Sequence, residues 1–207
     1  MGKISKIIKL PRSIVISLLI SLYSVTLAFF DPSASRIICF FAMLTSTLGD
    51  VILSDYKPIV SRLPLRGFIA GGSVFAVAHA LYILAFLWQI VQNGYAFLNA
   101  GAYFGIAIFV IIAVYLTFVC IKNRIKARLT AFAFIYLILI TFNCTCVFSL
   151  ASCEGGIKII SAIGAFSFLI SDLIIALDVF CGIRLPHRSR LIWIFYPIGQ
   201  ILLLFGA

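Results

Sequence analysis

The chain has 207 residues, of which 64% are hydrophobic and only 11% charged, and its formal net charge is +10. Water-soluble domains are close to half apolar and a quarter charged, so a fold of this size in water has no way to hide so much apolar surface, and lipid is the solvent that fits. The basic excess does not point to nucleic acid, because the cations gather in short gaps between apolar runs and no basic stripe carries interleaved aromatics.

Met1 to Arg12 carries Lys3, Lys6, Lys9 and Arg12, and an apolar run from Ser13 to Phe30 follows. That run is longer than the apolar region of a signal peptide, and no small-x-small cleavage site closes it before Asp31-Pro32, so it predicts an uncleaved first span. Further apolar runs cover Ile37–Ser54, Phe68–Ile90, Leu98–Ile121, Leu129–Leu150, Ile157–Cys181 and Leu191–Phe205, the last being the shortest. Each is near the twenty or so residues that carry an α-helix across a bilayer, and helices satisfy the backbone of such runs where lipid offers no partner. The expectation is an all-α, polytopic transmembrane helix bundle of about seven helices, forming one domain over residues 1–207. Fourteen of the sixteen basic residues lie on alternate gaps. They are the four before span one, Lys57, Arg62 and Arg66 before span three, Lys122, Arg124, Lys126 and Arg128 before span five, and Arg184, Arg188 and Arg190 before span seven; Arg36 and Lys158 are the exceptions. The positive-inside rule then puts the N-terminus in the cytoplasm. A short multi-pass chain of this kind suits a bacterial inner membrane.

Gly101-x-x-x-Gly105 and Gly71-Gly72 read as sites of close helix packing, and Trp88, Tyr95 and Trp193 as interfacial rings. The six cysteines fall mostly inside apolar runs, where cysteine acts as a small hydrophobe. Cys144-Thr145-Cys146, with Cys153 nearby, lacks the spacing of a zinc ribbon or a redox motif.

An ionisable group inside a span costs about 2.5–3.5 kcal/mol on insertion scales, so each one asks for a reason. Four stand out: Asp50 near the cytoplasmic end of span two, His79 midway along span three, Asp172 in the inner half of span six, and Asp178 near the cytoplasmic face. Tyr196 and Gln200 start from that same face on span seven, so these groups are expected to share one cavity opening toward the cytoplasm. Asp178 reads as a solvated charge or a partner of Arg184, and His79 as either an interhelical hydrogen-bonding group or a functional one. Asp50 and Asp172, each beside a small residue in otherwise apolar sequence, read as functional.

Four stretches, in order, resemble the YhhN-type lysoplasmalogenases, a family of polytopic membrane hydrolases. They are Ser46-Thr47-Leu48-Gly49-Asp50-Val51-Ile52-Leu53; Ala78-His79-Ala80-Leu81-Tyr82; Gly164-Ala165-Phe166-Ser167-Phe168-Leu169-Ile170-Ser171-Asp172; and Tyr196-Pro197-Ile198-Gly199-Gln200. The family usually has eight spans and a Lys-Pro pair ahead of the second, for which Lys9-Leu10-Pro11 is the nearest counterpart, so its first helix has no equivalent among the seven expected spans. Pro197 and Gly199 stand where the family more often has tyrosine and alanine.

The resemblance implies hydrolysis of the vinyl-ether bond of a lysoplasmalogen, a lysophospholipid held among membrane lipid, to a fatty aldehyde and a glycerophospho-alcohol. That chemistry needs a general acid, a group that orients water and a negative charge beside an oxocarbenium ion, roles that two carboxyls in a low-dielectric site can divide. Asp50 and Asp172 take these parts in either order, and His79 tunes the pair or relays a proton. Tyr82, Tyr196, Gln200 and Ser171 are expected at the substrate, with Lys57 or Arg62 at its phosphate. No metal or other cofactor is expected: there are only two histidines, and His187 lies in a loop. An intramembrane aspartyl protease is disfavoured because Leu48-Gly49-Asp50 lacks its Gly-x-Gly-Asp pattern. The non-enzyme alternative is a small proton-coupled transporter or channel using Asp50, His79 and Asp172 as a relay, although no pair of broken helices marks it. The sequence leaves the oligomeric state open.

Overall fold

The computed structural model describes residues 11–54, 64–183 and 185–207. Their regular structure is entirely α-helical, in seven helices: α1 (Arg12–Phe30), α2 (Ala34–Leu53), α3 (Pro64–Gln92), α4 (Ala100–Lys122), α5 (Ala127–Glu154), α6 (Ile157–Cys181) and α7 (Arg188–Phe205). Local chemistry sets the boundaries. Asp31 precedes Pro32 and leaves the helical region, as residues before proline do. The Ser33 side chain accepts the Arg36 amide at 3.2 Å to start α2, and Asn99 accepts the Ala102 amide at 3.1 Å to start α4. Pro64 opens α3, where its missing N–H costs nothing. Gly155 and Gly156, both at positive φ, make the tight link from α5 to α6.

The first six helices are long and apolar enough to cross a membrane. The chain is thus a multi-pass membrane protein. The seventh is shorter and carries Arg188, Arg190, Pro197 and Gln200. Apolar side chains dominate the outer surface, including Phe29, Val91, Ile111 and Val114, whereas Ser17, Ser46, His79, Asn143, Ser171 and Gln200 are buried within. This distribution is the reverse of a water-soluble fold and follows from a solvent as apolar as leucine.

Helix neighbours form a closed circuit: α1 packs on α2, α2 on α3, α3 on α5, α5 on α6, α6 on α7, and α7 returns to α1. Helix α4 stands outside this ring, lying along α5 and barely touching α6. Glycines fix the two closest approaches. A Cβ at Gly105 would lie 2.8 Å from the Thr145 Cα, so the Gly101-x-x-x-Gly105 stripe seats α4 on α5 as expected. On the other side of the ring, a Cβ at Gly164 would meet the Gly199 carbonyl at 2.8 Å, and one at Gly199 would meet the Phe168 amide nitrogen at 2.8 Å. There α6 and α7 touch backbone to backbone.

The two cations that break the charge pattern turn out to be partnered, and at one place. Arg36 pairs with Asp31 at 3.2 Å and donates to the Ala207 carbonyl at 3.2 Å. Lys158 donates to the Gly206 carbonyl at 2.8 Å and to Gln89. Both therefore hold the end of α7 against the starts of α2 and α6. Asp178 is paired, with Arg188 as its partner; Arg184, the partner expected, lies outside the described residues.

A candidate active site inside the helical ring

Each ring helix delivers at least one polar side chain to the interior. Ser17 of α1 and Tyr196 of α7 donate to the Asp50 carboxyl of α2, the tyrosine at 2.7 Å. Asp50 is only 7% exposed, and these two hydroxyls supply its hydrogen bonds. Neither donor is a cation. Tyr196 reaches across because Gly199 lets α7 press against α6, which places the preceding turn of α7 over the bundle centre.

A second cluster surrounds Asp172. Tyr136 of α5 donates to it at 2.5 Å, and His79 Nε2 of α3 lies 3.4 Å from the Tyr136 hydroxyl and 3.7 Å from the carboxyl. The Asn143 amide nitrogen sits 3.4 Å from His79 Nδ1. Asn143, His79, Tyr136 and Asp172 therefore form one continuous run of polar contacts, which ends with the Tyr136 hydroxyl donating to the carboxyl. Ser171 lies 3.2 Å from Asp172, but its hydroxyl has a shorter contact, 2.7 Å, to the Phe168 carbonyl one turn back. The Phe168 ring joins the two clusters, 4.7 Å from the His79 ring and 5.4 Å from that of Tyr196.

Asp50 and Asp172 line the same cavity, of about 470 Å³, together with Ser171, Tyr136 and Tyr196. Its wall is otherwise mostly apolar. The cavity reaches Ser13 at the start of α1, Ser54 after α2, Phe68 near the start of α3 and Ile192 near the start of α7. All of these flank basic gaps, so the cavity lies toward the face that the charge bias assigns to the cytoplasm.

The structure thus brings together Asp50, Asp172, Ser171 and Tyr196, and sets His79 directly behind Tyr136. It does not bring Tyr82 and Gln200 to the cavity. Both are fully buried beside it, Tyr82 donating to the Gln200 side-chain carbonyl at 2.6 Å while the Gln200 amide reaches Ser46 at 3.3 Å. They cross-link α3, α7 and α2. Lys57 and Arg62 lie outside the described residues. Among the described residues, no three His, Cys, Asp or Glu side chains gather in a way that would hold a metal ion.

Three participants are not among the residues expected from the sequence: Ser17, Tyr136 and Asn143. Ser17, Ser21 and Ser24 repeat at helical spacing along one face of the first apolar run, and that periodicity is a usable sign of an inward face. Asn143 is a polar group inside a span and carries the same kind of signal. Tyr136 carries none, since a lone ring in an apolar run reads equally well as lipid-facing.

Long apolar helices that enclose a cavity lined by two carboxyls define a polytopic membrane protein with an acidic site within its bundle. The YhhN family model matches residues 11–207 of this protein, and the chain belongs to the YhhN family. No curated protein and no solved structure matches it significantly.

Proposed function

We propose that this protein hydrolyses the vinyl-ether bond of lysoplasmalogens, releasing a fatty aldehyde and a glycerophospho-alcohol. The observation that carries this reading is that Asp50 and Asp172 face one largely apolar cavity; membership of the YhhN family supports it. A vinyl ether reacts when its β-carbon takes a proton, which leaves an oxocarbenium ion for water to capture. Asp50, whose partners are the neutral hydroxyls of Ser17 and Tyr196, is the proton donor. Asp172, backed by Tyr136 and the His79 imidazole, is the anion beside the cation and takes a proton from the attacking water. The resulting hemiacetal collapses to aldehyde and alcohol, and transfer of the proton from Asp172 back to Asp50 through cavity water restores the site. Apolar walls strengthen the attraction between Asp172 and the developing cation, because little solvent screens it.

Incubation of the purified protein with a vinyl-ether lysolipid and with its saturated-ether analogue tests the reaction. Loss of the vinyl ether alone, with matching aldehyde release, is the expected outcome; loss of both lipids, or of neither, overturns the proposal. Tyr136→Phe removes the hydroxyl between His79 and Asp172 and is expected to lower kcat about a hundredfold with little change in KM. Steady-state rates measure this, and wild-type kcat would take Tyr136 out of the mechanism.

A further inference from the structure

We infer that the aliphatic chain of a single-chain lipid lies in an apolar slot between α4, α5 and α6, with a mouth beside Tyr115 that opens sideways into the bilayer. The identity of the head group rests on the hydrolase reading, whereas the slot stands on geometry alone. The cavity does not stop at the helical ring: Ile112, Tyr115, Leu116 and Val119 of α4 also line it. Every ring helix sends a polar side chain inward, but α4 contributes these four residues and no charge. On the ring side the slot continues from Tyr136 and Asp172 to Leu137 and Ile140 of α5 and Leu169 and Leu173 of α6. The two carboxyls and this apolar wall therefore belong to one continuous cavity.

Two observations give the slot its direction. Toward the basic face, Val119, Ala133 and Phe180 pack with Leu116, Leu129 and Ala176 into a second apolar cluster, which ties α4 to α5 and α6 along that part of the wall. The Asn123 side chain pins the same end by donating to the Phe180 carbonyl at 2.9 Å. Higher up, α4 barely touches α6, and Tyr115 lines the cavity while 47% of its surface stays exposed. A residue that faces both the cavity and the outside marks an opening, and at the depth of Tyr115 the outside is hydrocarbon. The cavity, about 470 Å³ in volume, has room for an alkyl chain. Passing from bilayer to slot exchanges one apolar surrounding for another, so the slot selects by length and shape more than it adds affinity.

The test uses the full chain reconstituted in vesicles, with vinyl-ether lysolipids of ten-carbon and sixteen-carbon chains. Ile112→Trp fills the slot from α4 and leaves the polar residues of the helical circuit unchanged, whereas Val114→Trp places the same side chain on the lipid-facing side of the same helix, where residue 114 is exposed. Ile112→Trp is expected to lower the ratio of long-chain to short-chain turnover by about tenfold or more, while Val114→Trp leaves it unchanged. An unchanged ratio in Ile112→Trp, with short-chain turnover retained, overturns the slot. Should wild-type protein turn over neither lipid, the hydrolase reading fails separately. Photolabelling with a saturated lysophospholipid carrying a diazirine at its chain end then decides: label around Ile112 and Ile140 supports the slot, and label confined to lipid-facing side chains overturns it.

Discussion

Asp50→Asn and Asp172→Asn are each expected to lower turnover by about a thousandfold while leaving the protein as stable as before, or more so. An amide keeps the shape of the carboxyl, and its oxygen still accepts from Ser17 and Tyr196 at position 50, or from Tyr136 at position 172. It cannot deliver a proton to carbon or present a full negative charge to a cation. Removing an ionisable group from a membrane-buried site also removes an insertion cost, so thermal midpoints should hold or rise as activity disappears. Aldehyde release and melting of the same preparations measure both quantities. Wild-type turnover in either variant would strike that aspartate from the mechanism, and loss of activity with a collapsed melting curve would mean that its role is structural.

The largest loss of stability is expected from Gly164→Val. The atoms that the new side chain would meet are the Leu203 amide nitrogen and the Gly199 carbonyl, both backbone, so no rotamer change relieves the clash and α6 and α7 must part. Overpacking of this kind costs about 3 kcal/mol or more, to be read as a lower thermal midpoint in detergent. Gly71→Ala is the control. Its methyl meets the end of the Leu53 side chain, which is free to turn, so it should cost much less. Gly164→Val should also lose activity, since parting α6 from α7 withdraws Tyr196 from Asp50; equal midpoints for the two variants would refute the backbone contact.

What the sequence could and could not reveal follows from what a linear pattern encodes. Apolar length and alternating basic gaps report position along the bilayer normal, so the helices and their order were legible. Depth alone does not say which way round its helix a side chain points. For this reason Tyr82 and Gln200, at suitable depths, were expected at the substrate but are turned to one another beside the cavity. The position of α4 outside the ring was hidden for the same reason: its glycine stripe announces a close neighbour without saying which. The two aspartates stood out because a carboxyl in an apolar run carries an insertion cost that only a specific role offsets, whereas Tyr136, which completes the Asp172 cluster, is chemically ordinary in such a run.

The circuit closes between α1 and α7, which lie far apart in chain order, and this bears on biosynthesis. While the ribosome is still adding α5 and α6, Asp50 has Ser17 within reach but lacks Tyr196, and a buried carboxyl short of a donor is destabilising. Insertion of α7 supplies that hydroxyl, shuts the α1 side of the ring and brings Gly206 and Ala207 to the cations Lys158 and Arg36. A nascent chain halted before α7 therefore holds both carboxyls in the membrane without the closed ring of helices around them.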